Sequence, residues 1–96
     1  DGVPENDVEA VRWYRLAAEQ GDAQAQYNLG IMYDIARGIP RNVVEAYVWY
    51  SVSAAQGYEF GRTSRDIVSD RMTPAQLAQG QEQATRCFES DFQDCD

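Results

Sequence analysis

One offset governs this chain more than any other feature. Shifted by 36 residues against itself, it lays Gly2-Val3-Pro4-Glu5-Asn6-Asp7-Val8-Glu9-Ala10 over Gly38-Ile39-Pro40-Arg41-Asn42-Val43-Val44-Glu45-Ala46. In the same register Trp13-Tyr14 falls on Trp49-Tyr50, Ala18 on Ala54, and Gln20-Gly21 on Gln56-Gly57. A fixed period between about 20 and 50 residues is the signature of a solenoid, in which each unit buries its apolar face only against its neighbours. A chain of 96 residues suits that plan, since one large globular core would be thin at this length.

The repeated residues have helical roles. Asn6 and Asn42 stand where N-caps belong, each followed three residues later by Glu9 or Glu45, which can return a hydrogen bond to the cap. Pro4 and Pro40 are expected to keep the approach to those caps extended. In the second copy Ala46, Trp49, Tyr50, Ser53, Ala54 and Gly57 share one helical face, whose small members admit a close neighbour. Gly21 and Gly57 are natural left-handed stops. Between the copies Asp22 can cap a helix running from Ala23 to about Ile35, with Ala25, Leu29, Met32 and Tyr33 on one face and Gly30 allowing close approach. Beyond Gly57 the pattern changes. Residues 59–70 keep helical spacing, and Met72-Thr73-Pro74-Ala75-Gln76 supplies a Thr cap, a first-turn Pro and a Gln at the third position. The last helix is expected from about Pro74 to Glu89, burying Leu77, Gly80, Ala84, Cys87 and Phe88 and leaving Gln79, Glu82, Gln83 and Arg86 wet. The class is all-α.

The run Ala23-Gln24-Ala25-Gln26-Tyr27-Asn28-Leu29-Gly30-Ile31-Met32-Tyr33, followed by Gly38-Ile39-Pro40, Glu45-Ala46, Trp49-Tyr50 and Ala54-Ala55-Gln56-Gly57, resembles the Sel-one-like repeat, a relative of the tetratricopeptide repeat. Residues 23–58 resemble one complete repeat and 2–22 the second half of a preceding one; 59–96 would form a terminal helix pair and tail. The stretch around Arg65-Asp66 and Met72–Leu77 is similar to the ending that often follows the last such repeat in bacterial proteins. The resemblance implies a right-handed α–α superhelix of antiparallel helix pairs, closed by a C-terminal capping helix, and a role as adaptor or scaffold. One departure is Ala36, where the family usually has Gly; an alanine resists the left-handed conformation, so the helix is expected to end differently or run on.

In stacks of this kind the first helix of each pair tends to line the concave face. The stripe Gln24, Tyr27, Asn28, Ile31 and Ile35, with the row Phe60, Thr63, Ser64 and Ile67 found 36 residues on, is therefore the expected partner-binding surface for an extended or helical peptide. Packing of Tyr27, Ile31 and Ile67 against neighbouring repeats is the competing account. Trp13 and Tyr14 lack a preceding first helix, so self-association through the N-terminal end is a further expectation.

Charge narrows the partners. The net charge is −8; the eight basic residues are all Arg, and each of the stretches 1–58 and 59–96 holds eight acids and four Arg. With no basic patch, nucleic acid and anionic membranes are poor partners. No apolar run approaches the ~20 residues that span a bilayer. The chain opens on Asp1, as expected of a chain with its leader removed or of a piece of a longer protein.

Chemistry finds little support. Without His or Lys, Cys87 lacks the usual activating base and Ser-Lys catalysis is excluded. Two Cys cannot close a zinc site, and the tail acids Glu89, Asp91, Asp94 and Asp96 lack the spacing of a calcium loop. No cofactor or metal is expected. Hydrolysis or antibiotic binding has been suggested for cysteine-rich relatives, but those carry a Cys pair in every repeat and residues 1–58 have none. A structural spacer is the third reading. Cys87 and Cys95 would stand ~12 Å apart on a continuous helix, too far to bridge. A disulfide therefore requires the helix to end near Ser90 and the tail to return, with Phe92 as an anchor; the alternative is a buried thiol and a loose one. A bridge would argue for export.

Overall fold

The computed structural model describes residues 4–96. Five helices follow one another: α1 (Pro4–Glu19), α2 (Ala23–Ile35), α3 (Val43–Ala55), α4 (Glu59–Ser69) and α5 (Pro74–Glu89). Among the described residues there is no strand. α1 to α4 each lie against the next helix, and α5 returns to α3, so that α3 packs on α2, α4 and α5, and α1 chiefly on α2. The fold is all-α and superhelical.

Most helix starts follow from local chemistry. The Asp22 carboxylate accepts the Ala25 N–H at 2.9 Å, and Asn42 Oδ1 accepts that of Glu45 at 3.0 Å. Thr73 and Gln76 form a complete capping box, with Pro74 in the first helical turn. α1 and α3 end before Gly21 and Gly57, which adopt φ of 97° and 92°. These satisfy carbonyls at the helix ends that have no further partner along the helix.

The core is built on α3. Ala46, Val48 and Trp49 are fully buried, as is Leu29 of α2. Gly30 makes the α2–α3 contact: a Cβ there would lie 2.6 Å from the Tyr50 ring. Tyr50 packs against the α2 backbone where it has no side chain.

Five expectations are corrected. Asn6 is not a cap, because α1 already starts at Pro4; a proline is tolerated in a first helical turn, where its missing N–H has no intrahelical partner to lose. Pro4 therefore begins the helix instead of extending the approach, while Pro40 stays outside α3. The Glu partners do not close caps. Glu9 is exposed beside Arg12 at 3.8 Å, and Glu45 turns inward and accepts from Gln83, while the Asn42 N–H goes to the Tyr33 carbonyl. Ala36 does enter the left-handed region, at φ 60° and ψ 46°, and ends α2 with its N–H on the Met32 carbonyl. The next residue, Arg37, donates two hydrogen bonds to Asp7 of α1, at 2.8 and 3.2 Å. On α5 Gln83 is buried, with its amide on Glu45 of α3, and Phe88 is 46% exposed, the reverse of the expected sides.

Candidate protein-interaction site

α2 and α4 lie side by side, and their outer turns carry the predicted row. The structure divides it. Tyr27 joins Tyr50, Tyr58 and Phe60 in an aromatic cluster, with ring centroids 5.5–6.0 Å from Tyr27. Phe60 is 62% exposed at the edge of that cluster, and Ile67, two turns further along α4, is 56% exposed. Ile31 is half-buried on α2 and Ile35, a turn later, is exposed. Thr63 is exposed and Ser64 half-buried between the two apolar residues of α4.

Gln24 and Asn28 belong elsewhere. They line a cleft of about 390 Å³ between α1 and α2, together with Trp13, Tyr14 and Ala17. On α2 they are displaced around the helix from Tyr27, so they face α1 while Tyr27 faces α4.

Tyr58 is a residue that sequence reasoning missed. It stands 36 positions after Asp22, at the N-cap of α4, and its side chain makes no cap hydrogen bond. The ring packs on Tyr27 and edge-on to Phe60 instead, at 5.7 Å. An aromatic where the repeat places a cap was the available signal.

Polar groups pin the far end of the α2–α4 pair. Asp34 on α2 receives the Tyr50 hydroxyl at 3.3 Å and meets Arg71 at 3.4 Å and Arg41 at 3.8 Å. Burial, and the Asp34 carboxylate beside it, hold the Tyr50 phenol above its ordinary range. The row is thus a mixed surface, aromatic at one end, apolar along α4, and anchored by ions at the other.

The tail forms a second organised region. Cys87 and Cys95 are joined by a disulfide. The chain reverses at Asp91 and Phe92, both at positive φ, with the Phe92 N–H on the Cys87 carbonyl at 2.8 Å. Phe92 packs edge-on to Phe88, and Gln93 Nε2 donates to the Glu19 carbonyl of α1 at 2.9 Å. Asp96 then reaches Arg15, whose guanidinium also donates to the Tyr33 hydroxyl. Beneath this tail Glu45 is buried, its carboxyl pushed up to about 7 by burial and by Asp96, with Arg15 and the Trp49 indole pulling the other way. Among the described residues no group of His, Cys, Asp and Glu is placed to hold a metal ion.

Residues 1–22 and 23–58 match a known family model, the Sel1 repeat. The chain belongs to the Sel1 repeat family. Sel1 repeats are generally protein–protein interaction modules, and the family is one of non-catalytic repeat scaffolds. The fold is similar to the crystal structure of a protective antigen present in uropathogenic Escherichia coli strains, which displays an SLR fold. That likeness has a TM-score of 0.84 at 30% identity and covers 90% of this chain and 20% of the antigen, so the chain spans about a fifth of that protein's length. Among curated proteins none matches. Within this Sel1 chain no helix among the described residues is long and apolar enough to cross a membrane.

Proposed function

We propose that this Sel1-repeat chain holds a segment of a partner protein across α2 and α4 and performs no chemistry of its own. The observation that supports this reading is the exposure of Phe60, packed on Tyr27, and of Ile67 two turns further along α4. Large apolar side chains that a fold leaves outside, next to aromatic rings already held in place, lose little freedom when a partner covers them. The disulfide adds a location: bridged cysteines persist in oxidising compartments, so we place the protein outside the cytoplasm.

The test uses immobilised wild-type protein and a Phe60→Ser, Ile67→Ser variant, both exposed changes that spare the core. Each is presented to peptide ligands selected against the wild type. Ligands kept by the wild type and lost by the variant support the reading. Equal retention by both refutes it.

A second reading has its own observation. Trp49 is fully buried, whereas Trp13, its counterpart 36 residues earlier, is 62% exposed, with Leu16 and Val8 about half exposed on the same helix. α3 has three helices around it, and α1 has mainly α2. Association of two copies through α1 would cover this surface. Sedimentation at rising concentration should show dimers for the wild type and monomers for Trp13→Arg; a monomeric wild type at high concentration refutes this reading.

A further inference from the structure

A cavity of about 520 Å³ lies where α3, α5 and the tail meet the end of α2, lined by Tyr33, Asn42, Glu45, Gln79, Gln83 and Asp96 among others. It shares no residue with the α2–α4 row. Two of its lining residues are nine-tenths or more buried, Glu45 at 6% and Gln83 at 8% exposure, and each holds an acceptor without a donor: Glu45 Oε1 and Gln83 Oε1. Their mutual contact, Gln83 Nε2 to Glu45 Oε2, is long at 3.4 Å and leaves both of those oxygens unserved. No neighbouring donor reaches them. Asn42 Oδ1 accepts the Glu45 N–H, and the Tyr33 hydroxyl accepts from Arg15. The buried Trp49 Nε1, one turn further along the same helix, makes no hydrogen bond to either oxygen. No arginine lines the cavity.

A buried acceptor without a donor costs roughly 1–3 kcal/mol, and two in one polar cavity call for a ligand rich in N–H groups. Two carboxylates on the lining add a demand for positive charge. A guanidinium meets both conditions, since it is planar, permanently charged, carries five donors and accepts nothing. We propose that this cavity is a socket for the guanidinium of an arginine side chain presented by a partner protein. The Gln83 and Glu45 oxygens receive its N–H groups, and Asp96 closes the site from the tail.

The site depends on the ionisation of Glu45. The charged and titratable groups around that carboxyl are Asp96 of the tail, Arg15 of α1 and Tyr33 of α2. With its carboxyl titrating at about 7, a proton on Glu45 supplies a competing donor at lower pH, and ionisation leaves the cavity with acceptors only. Guanidinium binding should therefore tighten by about tenfold between about pH 6 and pH 8.

Isothermal titration of the oxidised 96-residue chain tests this with three probes: an acetylated, amidated Gly-Arg-Gly peptide, butylguanidinium, and neutral butylurea. The peptide should bind saturably, butylguanidinium more weakly, and butylurea not at all. Glu45→Gln should weaken the peptide at least tenfold and remove the pH dependence, while circular dichroism and thermal unfolding show the variant folded. Gln83→Met, which keeps the length and removes the amide, serves as a second variant should Glu45→Gln not fold. Binding of butylurea as tight as that of the peptide, or undiminished peptide binding by the variants, would overturn the socket. Tighter binding of butylguanidinium than of the peptide would overturn the assignment to a partner's side chain. Absence of heat with every probe would overturn the proposal altogether.

Discussion

At position 30 a methyl group would sit 2.6 Å from the Tyr50 ring and 3.3 Å from the Ala46 carbonyl. Gly30→Ala should therefore cost about 1–3 kcal/mol by forcing α2 and α3 apart, read as a lower denaturant midpoint. Ala36 gives the opposite sign. It already occupies a left-handed conformation that disfavours side chains by roughly 1–2 kcal/mol, so Ala36→Gly should raise stability by about 0.5–1 kcal/mol with an unchanged m-value. Glu45 sets a pH dependence. Its folded carboxyl titrates at about 7 against 4.5 ordinarily, so between those values the folded protein binds the proton more tightly than the unfolded chain does. That contribution is fully present below about pH 4.5 and is lost as pH rises through 7, on the order of 1–3 kcal/mol. Unfolding measured across this window should show the decline in the wild type and a flatter curve in Glu45→Gln.

Among the elements, the tail is the one held by covalent means. The bridge closes a short loop from Cys87 to Cys95, and through Gln93 and Asp96 that loop ties α5 to α1, which share no long interface. Cross-linking a loop of this length stabilises by about 2.5 kcal/mol in the chain-entropy account. Reduction should lower stability by up to that amount. It should also abolish hydrogen-exchange protection at the Phe92 amide, which now bonds the Cys87 carbonyl, while the amides of α3 stay protected. Retained protection at Phe92 after reduction would show that the tail's own contacts hold it. α4 differs from α2, α3 and α5 because no side chain caps its start: Tyr58 is given over to the aromatic cluster. Stability of that helix rests on packing against α3, and a partner seated on Phe60 would order it further.

For the whole molecule, which measures 36 × 26 × 22 Å, the repeat had made most of the architecture legible. Helix classes, the caps at Asp22, Asn42 and Thr73, and the stops at Gly21 and Gly57 all depend on residues within one or two turns of each other, and such rules can be read along the chain. The expected interaction row was legible only as a stripe. Its division, with Gln24 and Asn28 facing α1 and Tyr27 facing α4, depends on helices that meet from distant parts of the sequence. Trp13 and Trp49 make the limit plain: the repeat gives them the same local setting, yet one is exposed and the other buried, because different numbers of helices surround them. Glu9 and Glu45 part in the same way, one on the surface beside Arg12 and the other beneath the tail against Gln83. The amino-acid sequence by itself determined the period, the helices and their ends, since hydrogen bonding and backbone conformation act locally. Only the tertiary structure decided which copy of each repeated residue is enclosed, where the tail returns and which acceptors are left without donors, because burial is set by neighbours that the chain brings together only when it folds.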